Sequence, residues 1–248
     1  MTWFTHAQIF DDLLIVSQKE TCCYILKTAA GLVCIDGIWP DERVFNEMQE
    51  AIREAGWENE QMRMFLMTHG HIDHVGCGKW LTEHFHVETY LSAEDNALRL
   101  STSHEDGRDD NWKDFAIDHV LSDGDQIACG DRMITVVATP GHTKGCMSFL
   151  FPVHDLGSEH MACLFGGATP PRGDEDGRKT QIESIKKFKR AALENGCDVA
   201  FTNHTAFDSG LTRIAYSRAR MSFLPNIYVL GVDGVQEFCG VFERIAGK

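Results

Sequence analysis

Thr68-His69-Gly70-His71-Ile72-Asp73-His74-Val75-Gly76 is the stretch that decides how this chain is read. Three imidazoles and a carboxylate follow directly on the apolar run 62–67, which places good metal ligands at the end of a buried strand. The spacing carries more weight than the count. Histidines four apart share one face of a helix, whereas H-x-H-x-D-H alternates sides in an extended loop and then offers Asp73 and His74 in different directions. One loop of this kind feeds two neighbouring metals. The competing reading, a solvated polar loop after a strand, does not require four ligand-type residues at this spacing.

Working outward, residues 13–17, 22–27 and 31–36 are strand-like and suggest an antiparallel meander. Pro40-Asp41 opens a helical pattern that Gly56 closes. After the histidine loop come a helix over 75–84, a strand over 86–91 and a helix over 92–100 with Ser92 as its N-cap. The order is that of an α/β protein. Residues 101–114 lose periodicity around Trp112; they are either a surface excursion or a flap that offers an exposed indole to a substrate. Strands 117–121, 126–129 and 133–138 follow with hairpin turns between them. The Pro-Gly bend Thr139-Pro140-Gly141-His142-Thr143 interrupts the last of these before 146–151 resumes it, which leaves His142 at a strand end as a third ligand. A strand over 161–165, the glycine-rich loop 166–177, and an amphipathic helix marked by Ile182, Ile185, Phe188 and Ala192 lead to the strand 198–202. His204 comes just after that strand, as the earlier histidines come after theirs, and is the sixth candidate ligand. Helices over 209–223 and 234–246 complete the chain. No repeat, low-complexity tract or linker divides it, so residues 1–248 are expected to form one domain.

Composition narrows the function. A formal charge of −14 at pH 7 repels polyanions, and the lone basic cluster, Lys186-Lys187-Phe188-Lys189-Arg190, reads as a helix face. Nucleic acid is therefore not the expected partner. No apolar run approaches a membrane span, and the start lacks a basic then apolar leader, so a cytoplasmic location and no membrane partner are expected. The nine cysteines are odd in number, lie mostly in apolar runs and include no C-x-x-C pair, as reduced core cysteines do.

Over about residues 21–208 the sequence resembles the metallo-β-lactamase superfamily. The resemblance rests on Val33-Cys34-Ile35-Asp36-Gly37, the histidine loop, Asp123-Gly124-Asp125, the His142 bend and His204, in that order. It implies an αββα sandwich of two mixed β-sheets with helices on the outer faces and a dinuclear centre at one edge. His69, His71 and His142 are implied to hold the first metal, and Asp73, His74 and His204 the second. One position departs from the pattern. Many hydrolases of this superfamily, including glyoxalase II and acyl-homoserine lactonase types, carry a bridging aspartate where this chain has Ala168. The remaining set is similar to the β-lactamase subclass whose second zinc takes Asp, His, His and no cysteine. Two Zn2+ ions are implied, with the second site weakened by Ala168.

The expected activity is hydrolysis of a carbonyl bond in a small molecule, a β-lactam amide, lactone, ester or thioester, by a metal-bound hydroxide, with Asp73 as the catalytic carboxylate that orients it. The alternatives are a thioesterase or phosphodiesterase variant, an iron-binding redox or sensor protein, and a degenerate, non-catalytic relative. Asp36 is read not as catalytic but as a carboxylate that orients a metal-bound histidine, or as turn structure that caps backbone NH groups, and Asp208 as a helix N-cap. Cys77 and Cys146 are not needed as ligands, and Lys144 is expected in solvent. His6, His84, His86, His104, His119, His154 and His160 are expected at the surface.

Overall fold

In a computed structural model of the chain, which describes residues 4–102 and 111–248, the apolar runs become strands covered on both faces. Strands β1 (Phe4–Phe10), β2 (Leu13–Gln18), β3 (Thr21–Thr28) and β4 (Gly31–Ile35) form an antiparallel meander. Helix α1 (Glu42–Glu54) then crosses to β5 (Met62–Leu66), which lies parallel to β4. The short helices α2 (Ile72–Val75) and α3 (Gly78–Phe85) precede β6 (Glu88–Leu91). Helix α4 (Ala93–Ser101) and a 3-10 turn at Asn111–Lys113 precede β7 (His119–Val120). These seven strands make one sheet in sequence order. The second sheet runs β8 (Gln126–Cys129), β9 (Arg132–Ala138), β10 (Met147–Asp155) and β11 (Ser158–Phe165) as antiparallel neighbours. After α5 (Glu175–Glu194), β12 (Val199–Thr202) adds in parallel beside β11. Helices α6 (Gly210–Ala219) and α7 (Gly231–Ala246) follow.

Alternate residues of a strand face opposite ways, and here both ways are apolar. Ile15, Tyr24 and Ile35 of the first sheet meet Phe149, Leu164 and Phe201 of the second in a central core. Their neighbours Leu14, Ile25 and Cys34 turn outward onto Val44 and Met48 of α1. In the second sheet Leu150, Cys163 and Phe165 turn outward onto Ile185 and Phe188 of α5 and Phe242 of α7. Each such buried side chain contributes roughly 1.5–3 kcal/mol. The outcome is helix, sheet, sheet, helix, the αββα arrangement expected.

At one end the two sheets are joined by backbone bonds. Met147 N donates to Thr68 O at 2.8 Å, and Cys22 N donates to Asn203 O at 3.0 Å. The histidine-bearing segments are the residues at and beside these junctions.

Several local expectations are corrected. Strand β1 is additional to those read from the sequence, and it buries His6 against α1, where the imidazole meets Glu47 and Glu54 at 2.7 and 3.0 Å. The helix expected over 75–84 is split into α2 and α3, because Gly76 packs against the backbone of the 38–40 segment so tightly that a Cβ would lie 2.4 Å from Ile38 O. The segment after the His142 bend returns antiparallel to β9 rather than continuing it. Helix α6 ends at Ala219 because Arg220 leaves helical geometry and pairs both its terminal nitrogens with Asp155. Trp112 is buried rather than exposed. His154 and His160 are partly buried beside Asp12 and Asp198, whereas His84, His86 and His119 are exposed as expected. His104 and much of the 101–114 loop lie outside the described residues. No helix among the described residues is long and apolar enough to cross a membrane.

Candidate metal centre

All six sequence-selected residues come together at the joined end of the sheets. The ligand-type atoms of His69, His71 and His142 lie within 4.8 Å of one another, and so do those of Asp73, His74 and His204. The trios adjoin, with the rings of His69 and His74 4.0 Å apart. Beyond β5 the chain enters an extended turn that points His69 and His71 to one side, and the single turn of α2 then swings Asp73 and His74 to the other.

For His142, His69 and His74, hydrogen bonds on the outer side of the ring indicate which nitrogen faces inward. His142 Nδ1 donates to Thr169 O at 2.7 Å, so its Nε2 presents a lone pair, 3.1 Å from His71 Nδ1. Thr68 Oγ1 donates to Asp36 and can accept from His69 Nδ1 at 3.0 Å, which leaves His69 Nε2 buried without a hydrogen-bond partner among the described residues. His74 Nδ1 donates to Asp36 at 2.8 Å, and its Nε2 lies 3.2 Å from His204 Nε2 and 3.5 Å from Asp73 Oδ2. His71 Nδ1 with His142 Nε2, and His74 Nε2 with His204 Nε2, converge closely enough for a cation to take the place of the proton between them. Five imidazoles and one carboxylate, with no thiolate, form a donor set that suits zinc.

The electrostatics agree. Burial and the surrounding imidazoles push His69 well below its ordinary range and His142 to about 4, so both remain neutral as ligation requires. Burial also lowers His71 and His204. Burial opposes a charge on His74 as well, but Asp73 and Asp36 outweigh it and hold its pKa at about 10. Asp73 is the converse: burial would raise it, yet His74 and His204 keep it below the usual carboxylate range. The second trio thus favours a positive charge at its centre.

Asp36 contacts both kinds of group considered for it, a backbone N–H and a candidate ligand histidine. Its carboxylate accepts from Thr68 N, Thr68 Oγ1, His74 Nδ1 and Asn203 Nδ2 and so fixes the tautomer of His74. Ala168 is buried in the apolar layer beneath α5 and offers no ligand. Asp208 does not cap α6; its carboxylate accepts from Arg213 at 2.9 Å, and Ser209 holds the cap position. Cys77 and Cys146 are buried and Lys144 is exposed. Sequence reading missed Asp95, a buried carboxylate in the first turn of α4. It accepts from Gly70 N at 3.2 Å, Thr143 Oγ1 at 2.6 Å and Gly145 N at 3.2 Å, and so ties the His69 loop to the His142 bend. These contacts span 25 to 50 residues, and no local signal announces them.

A family model described as the metallo-beta-lactamase superfamily matches residues 22–156, more than half of the chain. The chain belongs to the metallo-beta-lactamase superfamily. Among solved structures of this superfamily, FEZ-1-Y228A, a mutant of the metallo-beta-lactamase from Legionella gormanii, is 21% identical, with a TM-score of 0.78 over 98% of this chain and 94% of that one. BJP-1, a subclass B3 metallo-beta-lactamase of Bradyrhizobium japonicum, is 22% identical, with a TM-score of 0.73 over 97% and 91%. Identities this low speak to the fold. By sequence, the chain is 24% identical over 171 residues, 67% of its length, to a protein of Bacillus velezensis named as a probable polyketide biosynthesis zinc-dependent hydrolase, BaeB. It is 32% identical over 102 residues, 41% of its length, to a hydroxyacylglutathione hydrolase of Mesorhizobium japonicum. The matched parts span 66% and 33% of those two relatives.

Proposed function

We propose that this member of the superfamily is a zinc-dependent hydrolase that cleaves a carbonyl bond, a lactam amide, lactone, ester or thioester, in a small molecule. The observation that carries the reading is the pair of adjoining candidate ligand trios, two of whose members, Asp73 and His204, line a cleft. In this reading His69, His71 and His142 hold one zinc, and Asp73, His74 and His204 a second. Zinc at such a centre polarises a carbonyl oxygen and lowers the pKa of water towards neutrality.

The chain's own contribution is to orient groups and to hold charge. Asp36 fixes His74, and Thr169 O fixes His142, so the ligating nitrogens are aimed before any substrate arrives. Asp73 stays ionised and accepts a hydrogen bond from Thr21 Oγ1 at 3.3 Å, which leaves carboxylate lone pairs to orient an attacking water. A relative named as a zinc-dependent hydrolase supports both the metal and the reaction class.

The test is a zinc-reconstituted sample assayed against β-lactams, lactones, thioesters and phosphodiesters, with metal content measured on the same sample. Turnover of at least one carbonyl substrate, lost with chelator and restored by zinc, is expected. Turnover of phosphodiesters alone, or carbonyl hydrolysis that survives complete zinc removal, contradicts the reading.

A further inference from the structure

The cleft that Asp73 and His204 help to line has a volume of about 1220 Å³, above the roughly 300–1,000 Å³ of ordinary small-molecule sites. Its wall carries three cationic side chains against four carboxylates, and Arg43 is already engaged by Asp41 through two nitrogens. Charge therefore selects little. Aromatic surface is what the wall offers: Trp39, Trp80 and the edge of buried Trp112 line it, three of the five tryptophans in the chain.

Trp39 is held there by an unusual backbone. Asp36 and Ile38 both have positive φ, 62° and 53°. For a buried β-branched residue such as Ile38 this is a genuine outlier, of the kind kept where the surroundings over-determine it. Three backbone bonds do so: Gly37 N donates to His74 O at 2.6 Å, Gly76 N to Ile38 O at 2.9 Å, and Cys77 N to Gly37 O at 3.2 Å. The segment is thus fastened to the loop that carries Asp73 and His74. The turn at Asp36 directs its carboxylate inward to His74. The turn at Ile38 buries that side chain and leaves Trp39 38% exposed, a large indole kept in water beside the candidate metal centre. Trp80, half-buried near the start of α3, packs against Phe45 at 6.4 Å, and buried Trp112 completes the aromatic wall.

We propose that Trp39 and Trp80, backed by Trp112, bind a flat aromatic group, so that the substrates are aryl-bearing acyl compounds rather than short or linear aliphatic ones. The assignment rests on the reading of the two trios as the hydrolytic centre. An indole face gains offset-stacking energy on a flat ring beyond the C–H contacts that a puckered saturated ring can make, so flatness, not only apolar bulk, is recognised.

Calorimetry on the zinc-loaded protein with 2-naphthylacetamide, a neutral probe, and its saturated decalin analogue separates these. The naphthyl probe should bind about tenfold more tightly than the decalin and quench tryptophan fluorescence. Trp39→Ala should remove most of that difference, and Trp39→Phe should restore part of it. Equal binding of the two probes, or an unchanged difference in Trp39→Ala, overturns the proposal. A parallel assay compares 2-naphthylacetyl and octanoyl thioesters of one thiol. Trp39-dependent probe binding without hydrolysis of any carbonyl substrate sinks the hydrolase reading and leaves the aromatic site standing. Hydrolysis of both thioesters at equal kcat/KM, with no Trp39-dependent binding, does the reverse.

Discussion

Replacing Asp95 with alanine should loosen at once two segments that carry candidate ligands. Its carboxylate, fully buried where α4 begins, accepts from Gly70 N and Thr143 Oγ1 on one oxygen and from Gly145 N on the other. Gly70 lies between His69 and His71, and Thr143 follows His142, so one side chain holds together all three residues of the first trio. Alanine leaves three buried donors unsatisfied at about 1–3 kcal/mol each. Burial raises the Asp95 pKa, which means that the ionised form bears a desolvation cost and offsets part of the gain. The lower end of the range is therefore the expectation, a loss of about 3 kcal/mol in unfolding free energy, with Asp95→Asn losing about half of that because one acceptor survives. The sign with pH follows from the raised pKa. The wild-type carboxyl contributes most when protonated and less as pH rises through its folded-state pKa, so the gap between wild type and Asp95→Asn should narrow with rising pH. Urea unfolding at several pH values, with zinc affinity from chelator competition, measures both effects. Affinity at the first trio should fall at least about tenfold in Asp95→Ala. If Asp95→Ala unfolds within about 1 kcal/mol of wild type and binds zinc as tightly, the carboxylate does not tie the segments together and the reasoning is wrong.

Three further outcomes are expected. His71→Ala should reduce kcat/KM by about a thousandfold or more and lower the zinc content of purified protein, both readable on one preparation. In zinc titrations of the metal-free protein, affinity at the second trio should rise about tenfold per pH unit from about pH 6 to 8, because zinc must displace the proton that Asp73 and Asp36 hold on His74 up to about 10. Affinity at the first trio should stay nearly flat over that range, since His142 titrates at about 4. Gly70→Ala should destabilise the fold by about 1–3 kcal/mol in the same urea assay, because its Cβ would lie 2.1 Å from the backbone oxygen of Asp95.

The parts of the molecule that were legible in the sequence share one property, a strong local signal. Each segment that carries candidate ligands comes just after or between apolar strands, so the end of β5, the His142 bend and the end of β12 could be recognised one at a time, and six candidate ligands could be selected without knowing how the segments meet. Contacts with no local signature were not legible. Asp95 reads as an ordinary residue of a helix's first turn, and its role exists only once α4 lies between two loops. His6 looks like a surface histidine because its partners Glu47 and Glu54 lie 41 and 48 residues away. Trp39 reads as a residue in a turn before Pro40; the positive φ of Ile38 that presents it is imposed by the histidine loop and not by its own sequence. The same limit explains the split of the helix after the histidine loop, since Gly76 is crowded by residues 38–40, which follow the neighbouring strand β4.

Zinc stoichiometry tests the central claim most directly. The metal-free protein, titrated with zinc and monitored by calorimetry and elemental analysis, should take up two zinc ions per chain; His142→Ala should lose the first, and His204→Ala the second. Wild-type protein that binds fewer than two ions per chain at saturating zinc, or a His204→Ala variant that still binds two, contradicts the assignment of these six side chains.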